Sequence, residues 1–345
     1  MKNYTAFRST VPVAIALTIA VLLQPGDACA QSGANDGQWR YYGADTGSTK
    51  YSSLSQVDAG NFEDLEIAWR WKSVDGQFDL DKLKRDYPKL TIPNDVDAVS
   101  IDRMRGAPLM IDGIVYMLTA MYQAAAIDAV TGELLWTYDP RAYAAGIPTT
   151  RLAFSTRGLA YWSDGEEARS LWGTGDGNLV SVDANTGVPD EEFGQGGRVD
   201  LVADIPRASR EAPINYSVTS APIVVGDIVV VGSAVTDQPF RKEGPPGYVR
   251  GFDIRTGELR WTFHTVPQRG EFGYETWAPG TAEIAGNVNV WGLMSADEEL
   301  GLVYLPIAAP SNDFYGAQRL GDNLFANSIV AVDVETGERR WHFQM

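Results

Sequence analysis

The sequence holds one cysteine, Cys29, and two histidines, His264 and His342, in 345 residues. Because Cys29 falls in a leader-like segment, the rest of the chain has no thiol for a disulfide, a thiolate metal centre, an iron–sulfur cluster or a covalently attached haem. The histidines stand apart, with no carboxylate or thiol at ligand spacing, so both read as packing or surface residues. Basic residues are scarce as well. The 28 Lys and Arg against 45 Asp and Glu give a formal charge of −17, which argues against nucleic acid or anionic lipid as a partner, since nothing would offset phosphate repulsion. The apolar run at residues 11–23 is too short to span a bilayer comfortably. Lys2 and Arg8 precede it and Ala28-Cys29-Ala30 follows, the form of a secretory signal peptide, residues 1–30, cleaved after Ala30. The mature chain, residues 31–345, is therefore expected to be exported.

What the sequence has in quantity is glycine, 35 residues, and tryptophan, ten, within a 44% hydrophobic composition that excludes a disordered chain. One pattern, Asp-x-x-Thr-Gly-x-x-x-Trp, recurs at Asp128–Trp136, Asp253–Trp261 and Asp333–Trp341, with a looser copy from Asp183 to Phe193. Each copy reads as a hairpin: an apolar strand, a turn whose Asp and Thr bond the local backbone and whose Gly takes positive φ, and a strand ending in aromatics. Two more strand-like runs precede each hairpin, as at residues 107–111 and 114–118 around Asp112-Gly113. Four antiparallel strands with one aromatic motif make a propeller blade. The spacing predicts an all-β chain of about four blades, with the excess length in loops such as residues 77–105 and 236–248. Upstream, Leu65-Glu-Ile-Ala-Trp69-Arg-Trp71 reads as a lone outer strand with no prelude. An unclosed propeller would leave strand edges and apolar faces bare, so the chain is expected to be the N-terminal portion of a longer protein.

With its opening Trp39-Arg-Tyr-Tyr-Gly-Ala-Asp-Thr-Gly-Ser-Thr-Lys-Tyr-Ser-Ser-Leu, this pattern resembles the pyrroloquinoline-quinone (PQQ) dependent alcohol and sugar dehydrogenases, eight-bladed propellers of the bacterial periplasm. Thr156-Arg157-Gly158-Leu159-Ala160-Tyr161-Trp162 is similar to the family segment whose arginine reaches the quinone's oxygens and carboxylates, a task that suits a forked guanidinium. Asn289-Val290-Trp291-Gly292 looks like the place where the family sets an indole under the cofactor ring. Thr219, in Thr219-Ser220-Ala221-Pro222, and Ser233, in Gly232-Ser233, resemble cofactor-bonding positions. The resemblance also implies Ca²⁺, an aspartate base, and ubiquinone or a cytochrome as electron acceptor, with peripheral membrane association in the sugar-oxidising branch.

Departures from the alcohol-specific pattern point to that branch. Ala234 and Val235 stand where a metal carboxylate would follow Gly232-Ser233, Ala309 stands at the metal asparagine, and Ala153-Phe154-Ser155 replaces the vicinal cysteines. The resemblance to the sugar-oxidising relatives implies Asp313, in Asn312-Asp313-Phe314-Tyr315-Gly316, as a metal ligand, and a hard cation needs several oxygen ligands at once. The proton-accepting aspartate of the family is expected beyond Met345. Related repeats also build a non-catalytic envelope propeller used for protein assembly, so the motif alone does not specify chemistry. Arg157 and Trp291 discriminate: an enzyme needs both at one axial cavity, and an assembly scaffold has no use for them there.

Overall fold

The structure is a computed structural model that describes residues 33–34, 37–90, 104–148, 154–211, 214–236, 242–312 and 314–345. The proposed leader, residues 1–30, and Asp313 lie outside the described residues. Ser32–Met345 forms one compact unit.

Its frame is four antiparallel sheets of four strands, each in chain order. The first holds β1 (Leu109–Ile111), β2 (Ile114–Leu118), β3 (Ala124–Asp128) and β4 (Leu134–Tyr138). The second holds β5 (Ala160–Ser163), β6 (Ala168–Gly173), β7 (Asn178–Asp183) and β8 (Arg198–Asp200). A short pair, β9 (Tyr216–Ser217) and β12 (Ala234–Val235), flanks the third sheet of β10 (Ile223–Val225), β11 (Ile228–Val231), β13 (Val249–Asp253) and β14 (Leu259–Phe263). The fourth holds β15 (Ser295–Asp297), β16 (Leu302–Ile307), β17 (Ser328–Asp333) and β18 (Arg339–Gln344). β10 lies against β5 on one side and β15 on the other, so the first strands of successive sheets converge. The last strands β4 and β18 are largely exposed. This is the blade arrangement that the repeat predicts.

The turn motif explains how the sheets stack. Asp128 Oδ1 accepts from the amides of Val130 (3.0 Å) and Thr131 (2.7 Å) and from Thr131 Oγ1 (2.9 Å). Asp183, Asp253 and Asp333 repeat the arrangement. The Gly that follows takes φ of 71–75° in all four copies. It has a second duty, because an aromatic from the preceding sheet or segment rests on it. Cβ atoms at Gly132, Gly187 and Gly337 would fall 2.6, 2.6 and 2.7 Å from the indoles of Trp69, Trp136 and Trp261. Each indole also donates Nε1–H into the same turn, to the carbonyls of Ala129 (3.0 Å), Ala184 (2.9 Å) and Val334 (2.7 Å). Between the second and third sheets Phe193 takes the indole's place, and Gly194 N–H reaches the carbonyl of Thr256 at 2.8 Å.

An apolar core fills each gap between sheets: Leu109, Trp136 and Trp172 between the first and second; Leu171, Phe193 and Phe252 between the second and third; Trp261, Val290 and Leu305 between the third and fourth. At about 25 cal/mol per Å² of apolar area removed from water, these layers are the main adhesive between sheets. Residues 65–71 form no paired strand, although Trp69 docks as the motif requires. No strand lies beside them among the described residues to complete a ladder. Upstream, Trp39 exchanges backbone bonds with Met110 (2.7 and 3.1 Å), and Ala296 N–H donates to the carbonyl of Thr46 (2.8 Å). The opening segment thus runs along the inner edges of β1 and β15 and satisfies polar groups that an edge strand would leave bare.

Candidate functional site

In antiparallel sheets the segment entering a first strand and the loop between second and third strands lie at the same end. That end gathers the candidates. Arg157 stands just before β5, Thr219 before β10 and Trp291 before β15, while Ser233 follows β11. Their backbones are stitched together: Ala107 N–H donates to the carbonyl of Arg157 (3.3 Å), Arg157 N–H to that of Thr219 (2.9 Å), and Ser233 N–H to that of Val290 (3.0 Å). The side chains close the same ring. Arg157 Nη1 donates to Thr219 Oγ1 (3.1 Å) and to the carbonyl of Trp291 (3.1 Å), and its guanidinium carbon sits 4.9 Å from the centre of the Trp291 ring.

Close backbone approach makes this ring possible. A Cβ at Gly232 would lie 2.1 Å from the carbonyl oxygen of Val290, and one at Gly247 would lie 2.1 Å from Asn289 Cβ. Asn289 Nδ2 donates to the carbonyl of Ser233 (2.8 Å), tying the lead-in of Trp291 to the third sheet. On the other flank the helix α1 (Leu80–Asp86), capped by Asp79 on Lys82 N–H (2.9 Å), buries Leu83 beside Met121, Tyr122 and Phe154. Tyr122 is fully buried and donates its hydroxyl to the carbonyl of Ser155 (3.1 Å), two residues before Arg157. The loop carrying Tyr122 hangs on Asp75, a buried carboxylate that accepts from Thr119 Oγ1 (2.8 Å), Met121 N–H (3.0 Å) and Gln123 Nε2 (2.7 Å). Burial pushes the Asp75 carboxyl above its ordinary range, against the pull of those three donors.

Two features give the site a chemical character. Trp291 is 47% exposed, an uncommon setting for an indole whose lead-in is buried. Arg157 is half-buried and forms no ion pair among the described residues, although acidic residues outnumber basic ones. Burial first, and the like charge of Arg105 second, lower its pKa, yet a guanidinium stays charged throughout. An unpaired, partly desolvated cation beside an open aromatic face suits a flat, anionic aromatic ligand. A cation–π contact at a partly exposed site is worth about 0.5–1 kcal/mol, and a hydrogen bond from such a cation to a charged ligand adds about 1.5–3 kcal/mol. Nearby, the buried hydroxyls of Ser155, Ser220 and Ser233 have no hydrogen-bond partner.

A family model described as the β-propeller domain of PQQ glucose/ethanol/alcohol dehydrogenases matches residues 39–345. The chain belongs to this PQQ propeller family. It is 31% identical to the dehydrogenase subunit of a quinone alcohol dehydrogenase from Gluconacetobacter polyoxogenes, over 92% of this chain and 40% of the relative. It is 30% identical to quinoprotein glucose dehydrogenase A of Acinetobacter calcoaceticus, over 99% of this chain and 43% of the relative. The crystal structure of quinohemoprotein alcohol dehydrogenase from Comamonas testosteroni superposes with a TM-score of 0.69 at 26% identity, covering 91% of this chain and 42% of that one. The PQQ propeller chain therefore spans about 40% of the length of the relatives it matches.

PQQ is a planar tricyclic quinone bearing three carboxylates, and the unpaired cation, open indole and orphaned hydroxyls fit such a group. A metal is a different matter. Asp313 lies outside the described residues, and among the described residues no three His, Cys, Asp or Glu side chains gather to hold an ion. Reading the candidates singly from the sequence passes over Arg105, Tyr122 and Asp75. Arg105 has a legible signal: Arg105-Gly106, Arg157-Gly158, Thr219-Ser220 and Trp291-Gly292 each pair a longer side chain with a small residue just ahead of a first strand. Tyr122 and Asp75 carry no such signal, since their role arises only where two loops meet.

Proposed function

We propose that the complete protein is an exported quinoprotein dehydrogenase that oxidises a sugar or alcohol CH–OH group with PQQ. Electrons would pass to ubiquinone or a cytochrome in the periplasm, with peripheral association at the membrane. The observation that carries this reading is the meeting of Arg157 and Trp291, a charge and an indole placed together at the end where four sheets converge. A scaffold for protein assembly has no use for that pair.

Bound PQQ supplies a two-electron acceptor that takes hydride equivalents from the substrate carbon. The residues of this chain bind and orient. Arg157 offers Nε and Nη2 as a fork to a carboxylate while Nη1 stays fixed on Thr219 and Trp291. Trp291 presents a rigid face for the ring, and Thr219 and Ser233 fix the edges of the pocket. Sugar-type substrates are favoured because Ala153-Phe154-Ser155 and Ala234-Val235 stand where the alcohol-specific side chains would be. Ca²⁺ belongs to the family expectation, and no step is assigned to it from these residues.

The test is a dye-coupled assay of full-length protein reconstituted with PQQ and Ca²⁺, offered glucose and short alcohols. Wild type is expected to reduce the dye, and Arg157→Ala to lose at least ten-fold in apparent PQQ affinity, from the loss of one charge-assisted pair worth about 1.5–3 kcal/mol. No PQQ-dependent turnover in wild type, or an Arg157→Ala variant with unchanged affinity, refutes the reading.

A further inference from the structure

Each of the four sheets is entered through a lead-in that carries a longer side chain followed by Gly or Ser, and that pattern adds a residue to the candidates for the site. Trp291 and Thr219 stand four positions ahead of β15 and β10, and Arg105 stands four positions ahead of β1, each followed by Gly or Ser. Arg157, followed by Gly158, stands three positions ahead of β5. Arg105 is therefore the contribution of the first sheet to the ring that Arg157, Thr219 and Trp291 build from the other three.

Local geometry brings the backbones of the two lead-ins side by side. A Cβ on Gly106 would lie 3.2 Å from Gly158 Cα and 3.3 Å from the Arg157 carbonyl carbon, so the glycines permit the two lead-ins to touch. Ala107 N–H then donates to the carbonyl of Arg157 at 3.3 Å. Arg105 is exposed and, like Arg157, forms no ion pair among the described residues. The charge of Arg105 acts on Arg157 and helps to lower its pKa, and a chain with 45 acidic residues had ample means to neutralise both cations. The repulsion is a standing cost that a ligand with several negative charges would relieve.

We infer that Arg105 is a second cation of the binding site, which makes the site selective for a polycarboxylate ring that presents one carboxylate to Arg157 and another to Arg105. The inference deepens the quinone reading and rests on it. It separates two quantities that a structural role would move together. Removing Arg105 takes away a like-charge contact in the empty protein, so stability without ligand holds or rises. It also removes a ligand contact, so the stability gained on binding shrinks.

The experiment uses full-length protein in wild-type, Arg105→Gln and Arg105→Glu forms, with PQQ affinity measured by titration at low and high salt and Tm measured with and without PQQ. Arg105→Gln is expected to bind PQQ roughly ten-fold more weakly with a shallower salt dependence, and Arg105→Glu more weakly still. Their ligand-free Tm should be no lower than that of wild type, and the rise in Tm on adding PQQ should be smaller. Variants that bind PQQ as wild type does overturn the inference while leaving the quinone reading intact. A lowered ligand-free Tm with unchanged affinity likewise overturns it, by making Arg105 structural. If wild type itself fails to bind PQQ, the quinone reading and this inference fall together, an outcome that the wild-type titration alone identifies.

Discussion

The double duty of the motif glycine can be measured by placing the same methyl group at two glycines that share one backbone state. Gly226, in the turn between β10 and β11, has φ of 56° and nothing within 4 Å of where a Cβ would stand. Gly337, in the turn of the fourth sheet, has φ of 71°, but its Cβ would lie 2.7 Å from the ring of Trp261, which is 6% exposed. Alanine at Gly226 incurs only the cost of left-handed backbone, about 1–2 kcal/mol. Alanine at Gly337 incurs that and must also shift a close-packed indole, an overpacking cost of about 1–3 kcal/mol. Urea unfolding of the full-length protein, followed by circular dichroism, should place Gly337→Ala about 1–3 kcal/mol below Gly226→Ala. In a Trp261→Ala background the excess should vanish, because the cavity accepts the methyl group. Equal losses at the two sites, or an excess that survives removal of Trp261, would refute the claim that the glycine is the seat of the neighbouring sheet's indole.

Tyr122→Phe deletes the hydroxyl that holds the carbonyl of Ser155 at 3.1 Å, so it should cost about 1 kcal/mol of stability and leave secondary structure unchanged; an unaltered urea midpoint would show that the bond contributes nothing. Asp75 gives a pH dependence whose sign follows from its raised pKa. Its protonated form favours folding, so its contribution is fully present below the unfolded value near about 3.9 and is lost as pH rises through the higher folded value. The stability of wild type relative to Asp75→Asn should therefore fall between acid and neutral pH in urea titrations, and a difference independent of pH would contradict the assignment.

The fold was legible because its repeat writes the same physics four times. Asp and Thr close the turn on their own backbone, Gly supplies positive φ, and an aromatic residue follows, eight positions after the Asp in three copies and ten in the fourth. The seating of each indole on the next glycine was not legible, since it joins residues such as Trp136 and Gly187 from different sheets. Residues 65–71 mark a related limit: a strand pattern states what a segment can do, and pairing also needs a neighbour. At the site, Arg157 and Trp291 were picked out by resemblance, and the structure brings them to 4.9 Å. Arg105 needed the four lead-ins set side by side, and where they end is fixed only once the first strands are known. Tyr122 and Asp75 needed the loops themselves. Trp341 extends the motif's logic outward: it is 44% exposed, against 8% for Trp136 in the same motif position, and among the described residues no following turn covers it.

A flat polycarboxylate quinone held where four sheets converge would have a guanidinium at its edge and an indole at its face. A crystal structure of the full-length protein grown with PQQ tests this most directly. The quinone ring is expected stacked on Trp291, with a carboxylate within hydrogen-bond distance of Arg157. A quinone bound elsewhere, or a well-ordered Arg157–Trp291 pair left untouched by it, would contradict the account.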